Sequence, residues 1–282
     1  ASPLAAQTPV SGGTLTYYQD LEPDNWNLTH VWPTPLLVLA GNVVDRLVYL
    51  GSDGEYYPWL ATSWEVSDDG KLYTFKLRTD VKFHNGEAFD AHAVAANIDM
   101  WQADPNTSTL RVAGLEGYEV VDDHTIQLSF ANPSAQAMWV MSVPAFGFLA
   151  PDAVKNHASD MSGDPTKMIG TGPFKVTGYT RGQGMTLERN PDYAWAPEGS
   201  EHQGPAYLDS VRVNFAPDPS VRVGVLTSGQ ADLIANVPSI FVPQIEAGAN
   251  TAIWEQRSPG LPYHLNLNVQ KAPMDDINVR KA

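Results

Sequence analysis

The chain has no cysteine among its 282 residues. This absence excludes disulfides, thiol nucleophiles and cysteine-based zinc sites. A chain of this length can bury a large core without such cross-links. The cysteine-free composition fits an oxidising compartment without establishing one.

Basic residues are scarce. The chain carries 17 Lys and Arg against 32 Asp and Glu, which gives a formal net charge of -15 and a sequence pI of about 4.7. An acidic surface repels nucleic-acid phosphates and anionic lipid headgroups. We therefore expect no nucleic-acid partner and no attachment to a membrane through basic residues.

Long hydrophobic runs are also missing. The apolar run 137–151 contains Pro144 and is too short to span a bilayer. Residues 1–11 are small, polar and proline-bearing, and we interpret them as an N-terminal tether from which a signal peptide has been removed. The sequence leaves open a lipid anchor before residue 1, the one membrane attachment we consider.

The chain is rich in hairpin patterns. Residues 64–67 and 71–78 flank the turn sequence Asp-Asp-Gly, and 118–121 and 125–130 flank Asp-Asp-His. Apolar and polar residues alternate in the second arm of the first pair, as in a half-buried strand. A further turn is predicted at Asn85-Gly86.

Helical spacing occurs between these strand patterns. It predicts helices over 35–50, after the N-cap Asp90, and over 219–227 with Gly229 at the C-terminal cap. A strand is expected near 14–18 and another at 231–234. The mixture of helices and strands predicts the α/β class.

No catalytic or metal-binding arrangement is recognisable. The seven histidines form no His-Glu-x-x-His motif, no G-x-S-x-G is present, and paired aspartates fall at predicted turns or a cap, where Asp is favoured for backbone reasons. His84 and His92 are expected at the surface. The sequence thus predicts no catalytic residue, no metal and no cofactor.

One long string is much more specific than any of these patterns. Residues 58–86 read PWLATSWEVSDDGKLYTFKLRTDVKFHNG, which closely resembles the signature of the family 5 bacterial extracellular solute-binding proteins, the peptide- and nickel-binding group. Four later segments agree with the family in the expected order: 169–174 (IGTGPF), 187–193 (LERNPDY), 228–232 (SGQAD) and 265–282 (LNLNVQKAPMDDINVRKA).

The resemblance implies a periplasmic-binding-protein-like lobe with a mixed β-sheet and an inserted α+β subdomain. Residues 12–45 and 165–260 would form the first lobe, 46–164 the insert, and 261–282 the start of a second lobe that is largely absent from this chain. Ligand would lie between the two lobes, which close around it by a hinge.

The resemblance also implies a function. The protein would be the extracytoplasmic substrate-binding component of an ABC importer, a monomer at the periplasmic or extracellular face of the cytoplasmic membrane, with the transmembrane permease subunits as partners. It would not be an enzyme. Short peptides are the first ligand class, with oligosaccharides or a nickel chelate as alternatives; Gly147 stands where the nickel branch carries an arginine. A non-catalytic envelope interaction protein is the remote alternative.

The family's ligand contacts give the candidate site residues. In peptide-binding relatives the peptide backbone pairs with the edge of the N-terminal strand, by β-augmentation. The candidate ligand-binding residues in this sequence are Tyr18, Gln19, Asp20 and Leu21 at that strand, Trp32 and Phe146 as cleft walls, and Tyr263 and His264 before the 265–282 segment.

Overall fold

A computed structural model describes residues 9–28, 34–104, 114–134, 136–157, 160–255 and 267–281. The chain divides into two compact units, residues 1–251 and 252–282. In chain order the first unit contains β1 (Thr14–Gln19), α1 (Thr34–Ala40), β2 (Val48–Leu50), β3 (Tyr56–Pro58), β4 (Ala61–Val66), β5 (Leu72–Leu77), α2 (Ala91–Ala103), β6 (Leu115–Asp122), β7 (Thr125–Phe130), α3 (Ala137–Val140), α4 (Pro151–His157), β8 (Phe174–Thr180), β9 (Gly184–Arg189), β10 (Ser210–Phe215), α5 (Pro219–Thr227), β11 (Leu233–Ile234) and α6 (Val242–Glu246).

The largest sheet has five strands in the order β11-β1-β10-β9-β8. β1 is parallel to both of its neighbours, β10 and β11, whereas β9 is antiparallel to β10 and β8. Its core joins side chains from the sheet, from α1 and from the connecting segments. The buried members are Trp26, Leu28, Leu36, Leu39, Ala40, Val43, Val44, Leu149, Met161, Met168, Phe174, Met185, Leu187 and Val213.

A second, antiparallel sheet has the order β4-β5-β7-β6. Tyr73, Phe75 and Leu77 on β5 are buried while the residues between them are more exposed, which confirms the alternating pattern. α2 packs on this sheet through its apolar side, which includes Ile98 and Trp101. The Asp90 carboxylate accepts a hydrogen bond from the main-chain N–H of Ala93, 2.8 Å away, so the predicted cap is confirmed.

Both predicted hairpins form, with β4 against β5 and β6 against β7. The turn at Asn85-Gly86 is also present: Gly86 has a φ of +90°, and Lys82 and Ala88 pair across it. The strand at 14–18 and the helix at 219–227 are confirmed by β1 and α5. Gly229, just after α5, has a φ of +74°, as expected of a glycine that ends a helix.

The predicted helix over 35–50 is wrong in its second half. α1 ends at Ala40, and β2 begins at Val48. Residues 41–47 leave the helix because their carbonyl groups are used elsewhere: Asn42 O accepts from Phe174 N at 3.0 Å and Val43 O from Gly172 N at 2.9 Å. The apolar side chains of residues 41–47 are buried as their spacing suggested, but they pack in the core from an irregular segment and not from a helix.

The two sheets have separate buried cores. Each core includes side chains from outside the range that the predicted division into 12–45 with 165–260 and 46–164 assigns to its sheet. Tyr193 and Trp195 pack in the core of the β4–β7 sheet, while Leu149 and Met161 pack in that of the larger sheet. The division at 46–164 stays a prediction. No helix in the described ranges is long and apolar enough to cross a membrane.

In the second unit the structure describes one short helix, α7 (Ile277–Lys281). The Asp276 carboxylate accepts from the main-chain N–H of Asn278 at 2.8 Å, as predicted for a capping aspartate.

Candidate functional site

The three parallel strands β1, β10 and β11 end at the same edge of the large sheet. In sheets of this kind, ligands bind in the crevice outside the carboxyl ends of the parallel strands. The residues that follow these ends are Asp20 after β1, Ala216 after β10, and Ala235 and Asn236 after β11. This edge is the candidate ligand-binding site.

Asp20 is held at this edge by a partner 216 residues away. Asn236 donates from Nδ2 to Asp20 Oδ2 at 2.9 Å. Asn236 has a φ of +51°, the left-handed region that Asn tolerates better than most side chains, and it lies two residues after the end of β11. The other oxygen, Asp20 Oδ1, is buried without a hydrogen-bond partner among the described residues.

Arg222 on α5 connects the residues that follow β10 with those that follow β11. Its Nη1 donates to Ala216 O at 2.6 Å and to Pro217 O at 2.9 Å, and its Nη2 donates to Asn236 O at 3.0 Å. Its Nε donates to Ala235 O at 3.2 Å. The Arg222 side chain is buried, and four of its five N–H donors bind main-chain carbonyls, so it fixes the edge and is poorly placed to pair with a bound anion.

The neighbouring side chains on β1 are restrained by the same groups. Gln19 is buried and donates from Nε2 to Leu21 O at 2.7 Å, which sets the direction of the chain past Asp20. Burial raises the pKa of Tyr17, and the nearby Asp20 charge raises it further, while Arg222 opposes both effects. Tyr17 therefore stays a neutral phenol at this edge.

The structure corrects the expected mode of backbone pairing. β1 is a central strand, because Tyr18 pairs with Asn214 on one side and with Ile234 on the other. Tyr18 O accepts from Ala235 N at 2.9 Å, and Gln19 O accepts from Ala216 N at 2.8 Å. A peptide has no free edge to join at these two residues. The free part of this segment begins at Asp20, and the Leu21 side chain is 55% exposed.

The other predicted residues do not join this group. Phe146 is 2% exposed and packs edge-on against Trp101 with ring centroids 5.3 Å apart, so it is a core residue and not a cleft wall. Trp32, Tyr263 and His264 lie outside the described residues, and their roles stay predictions. Asn236 and Arg222 were missed by the sequence reasoning. Their signals were an Asn directly after a strand and an Arg one turn past the Asp218-Pro219 helix start.

A second polar cluster is buried in the first unit, around the Asp45 carboxylate. The Asp45 carboxylate is fully buried and accepts from Thr171 Oγ1 at 2.9 Å and Trp195 Nε1 at 3.0 Å. Burial raises its pKa to about 6, against the opposing charge of Arg46. Arg46 stacks on Trp59, with its Cζ 4.2 Å from the ring centroid. The side chains of this cluster are all buried, so we assign it a structural role.

The expectation for His84 was wrong. It is half-buried, and its Nε2 lies 2.9 Å from Gly172 O, so it connects the Asn85-Gly86 turn to residues 170–174. Burial lowers its pKa to about 4. His92, in contrast, is exposed as predicted. Among the described residues no three side chains of the kind that bind metals lie together.

Comparison with known proteins identifies the family. Residues 55–282 match the family model "Bacterial extracellular solute-binding proteins, family 5 Middle". The nickel-binding periplasmic protein of Escherichia coli K12 is 32% identical over 276 residues, which are 90% of this chain and 50% of that protein.

Two solved structures show the same fold. NikA from Brucella suis in complex with Fe(III)-EDTA has a TM-score of 0.70 and 33% identity, over 83% of this chain and 46% of that one. DppA from Helicobacter pylori in complex with the peptide STSA has a TM-score of 0.72 and 26% identity, over 84% and 49%. The chain spans about half the length of the relatives it matches. With a match over more than two thirds of its residues, the chain belongs to the family 5 bacterial extracellular solute-binding proteins.

Proposed function

We propose that the protein is the solute-binding component of an ABC importer and that it takes small solutes bearing an amino group, short peptides first among them. It works outside the cytoplasmic membrane, in the compartment of its family, and passes the solute to the permease subunits without a chemical reaction. The solute lies against the carboxyl ends of β1, β10 and β11, between this lobe and a second one.

The observation that carries the proposal is the charge at this edge. The Asp20 carboxylate makes no ion pair within the described part of the chain, and its buried Oδ1 lacks a hydrogen-bond partner there. The nearby cation, Arg222, donates to four carbonyl groups and forms no ion pair with Asp20 among the described residues. A carboxylate that is not directly paired with a cation attracts an ammonium group and repels an anionic ligand.

A nickel chelate is the second candidate. It is favoured by 32% identity to the nickel-binding periplasmic protein and 33% identity to NikA, which was solved in complex with Fe(III)-EDTA. Position 147 argues against it. A Cβ built on Gly147 would lie 2.2 Å from Val44 Cγ2, so this backbone has no room for the arginine that the nickel branch carries there. A chelate with several carboxylates would also meet Asp20 unfavourably.

The test is calorimetric titration of the protein that carries both lobes, with short peptides and, separately, with nickel chelates. We expect peptides to bind and Asp20→Asn to weaken their binding more than tenfold, because a charge-assisted hydrogen bond contributes about 1.5–3 kcal/mol. Asp68→Asn, which removes an exposed carboxylate in the β4–β5 turn, should change the affinity less than twofold. Binding of the chelates alone, or equal effects of the two substitutions, would contradict the proposal.

A further inference from the structure

A cavity of about 250 Å³ lies where three distant motifs of the sequence meet. One wall is the turn 82–86, which carries Lys82 and His84. The second is Lys175 at the start of β8, and the third is the loop after β9 with Asn190 and Asp192. The strand-edge site does not use any of these side chains.

The cavity has an excess of positive charge in a chain whose net charge is -15. Lys82 and Lys175 both line it, and neither makes an ion pair in the described ranges. Asp192 is the one carboxylate among the lining residues. Glu188 lies directly across from Lys175 in the β8–β9 pair, but it is exposed and not within ion-pair distance of that lysine.

His84 adds no charge to this wall at neutral pH. Its Nε2 faces the carbonyl oxygen of Gly172 at 2.9 Å, and a carbonyl accepts only, so this nitrogen carries the proton. Burial, and then the charge of Lys175, hold the pKa of His84 near 4. An anion bound beside Lys175 would offset the effect of that positive charge and raise the pKa of His84, which makes His84 a reporter for occupancy of the cavity.

We propose that this cavity binds a small oxyanion, such as inorganic phosphate or a small carboxylate, between Lys82 and Lys175. Two ammonium groups disfavour a metal cation, and an apolar ligand would cover part of their hydration without compensating their charge. The anion connects the turn 82–86 to β8 and to the loop after β9. It therefore stabilises the folded protein, as any ligand of the native state does. The proposal is independent of which solute the strand-edge site takes.

The experiment titrates the protein with sodium phosphate at constant ionic strength, set with sodium chloride, and repeats the titration with acetate. We expect the melting temperature to rise and saturate with phosphate, and the pKa of His84, followed by NMR and assigned with His84→Gln, to rise with it. Lys82→Ala and Lys175→Ala should each weaken phosphate binding at least fivefold. Lys155→Ala removes an exposed lysine of α4 outside the cavity and should change it less than twofold.

Lys82→Arg keeps the charge and should retain binding, which separates loss of the charge from damage to the fold. Lys82 is exposed, so its alanine variant tests the site even if Lys175→Ala does not fold. A linear, unsaturated response of the melting temperature, or an equal loss in Lys155→Ala, would overturn the proposal.

Discussion

Trp195 donates its indole N–H to the Asp45 carboxylate across 3.0 Å, although 150 residues separate them in the chain. The same N–H also lies 3.0 Å from Thr171 O. A carboxylate in a core keeps its place only if donors compensate for the water it has lost. This contact thus holds together the segment after α1, residues 170–174 and the loop after β9.

Replacing Trp195 with phenylalanine should lower the free energy of unfolding by about 2–4 kcal/mol. The change leaves Asp45 and Thr171 without this donor and also reduces packing in the core. Urea unfolding measures the loss. Trp254→Phe is the matched control, because Trp254 is 91% exposed and its change should cost less than about 0.5 kcal/mol.

His84 should make the protein less stable as the pH falls. Its pKa is about 4 in the folded state against 6.5 as the ordinary value, so between these pH values the unfolded chain takes up a proton that the folded protein does not. The stabilisation is complete above pH 6.5 and decreases as the pH falls towards 4, by up to about 3 kcal/mol in all.

His84→Gln should flatten this part of the pH profile, since glutamine can still donate to Gly172 O but does not titrate. The measurement is urea unfolding in phosphate-free buffers from pH 4.5 to 7.5. His92→Gln should retain the wild-type slope, because His92 is exposed. Parallel profiles for wild type and His84→Gln would show that His84 does not carry the effect.

Gly172→Ala should destabilise the protein by more than about 2 kcal/mol. A Cβ at this position would lie 2.6 Å from the carbonyl carbon of Val43 and 2.7 Å from Asn42 O, and these are main-chain atoms that cannot rotate away. Gly224→Ala in α5 is the control. No atom lies within 4 Å of its added Cβ, so it should instead stabilise the helix by about 0.5–1 kcal/mol. The melting temperatures of both variants, compared with wild type, test this prediction.

Arg222→Lys should cost about 2–4 kcal/mol of stability, because an ammonium group cannot reproduce four hydrogen bonds made by one planar guanidinium. It should also weaken solute binding, since the ends of β10 and β11 that frame Asp20 lose their common support. Arg212→Lys, an exposed change on β10, should alter neither property. Unchanged affinity for the solute in Arg222→Lys would show that Arg222 does not support the binding site.

Local patterns in the sequence predicted the hairpins, α2 with its Asp90 cap, and α5, because these elements depend on neighbouring residues and on alternation between core and solvent. The motif string 58–86 also identified the family. The same reasoning failed at residues 41–47, where helical spacing lost to hydrogen bonds from Gly172 and Phe174, more than a hundred residues away.

For the site, sequence determined less. Resemblance singled out Asp20, but it placed Tyr18 and Gln19 at a free edge, and tertiary structure decided that β1 is a central strand with both edges occupied. Asn236 and Arg222 join Asp20 only when β10, α5 and β11 assemble around β1. Composition and local pattern fixed the class of the protein. The charge at this candidate site was decided by strand order, because strand order determines which distant residues share one edge.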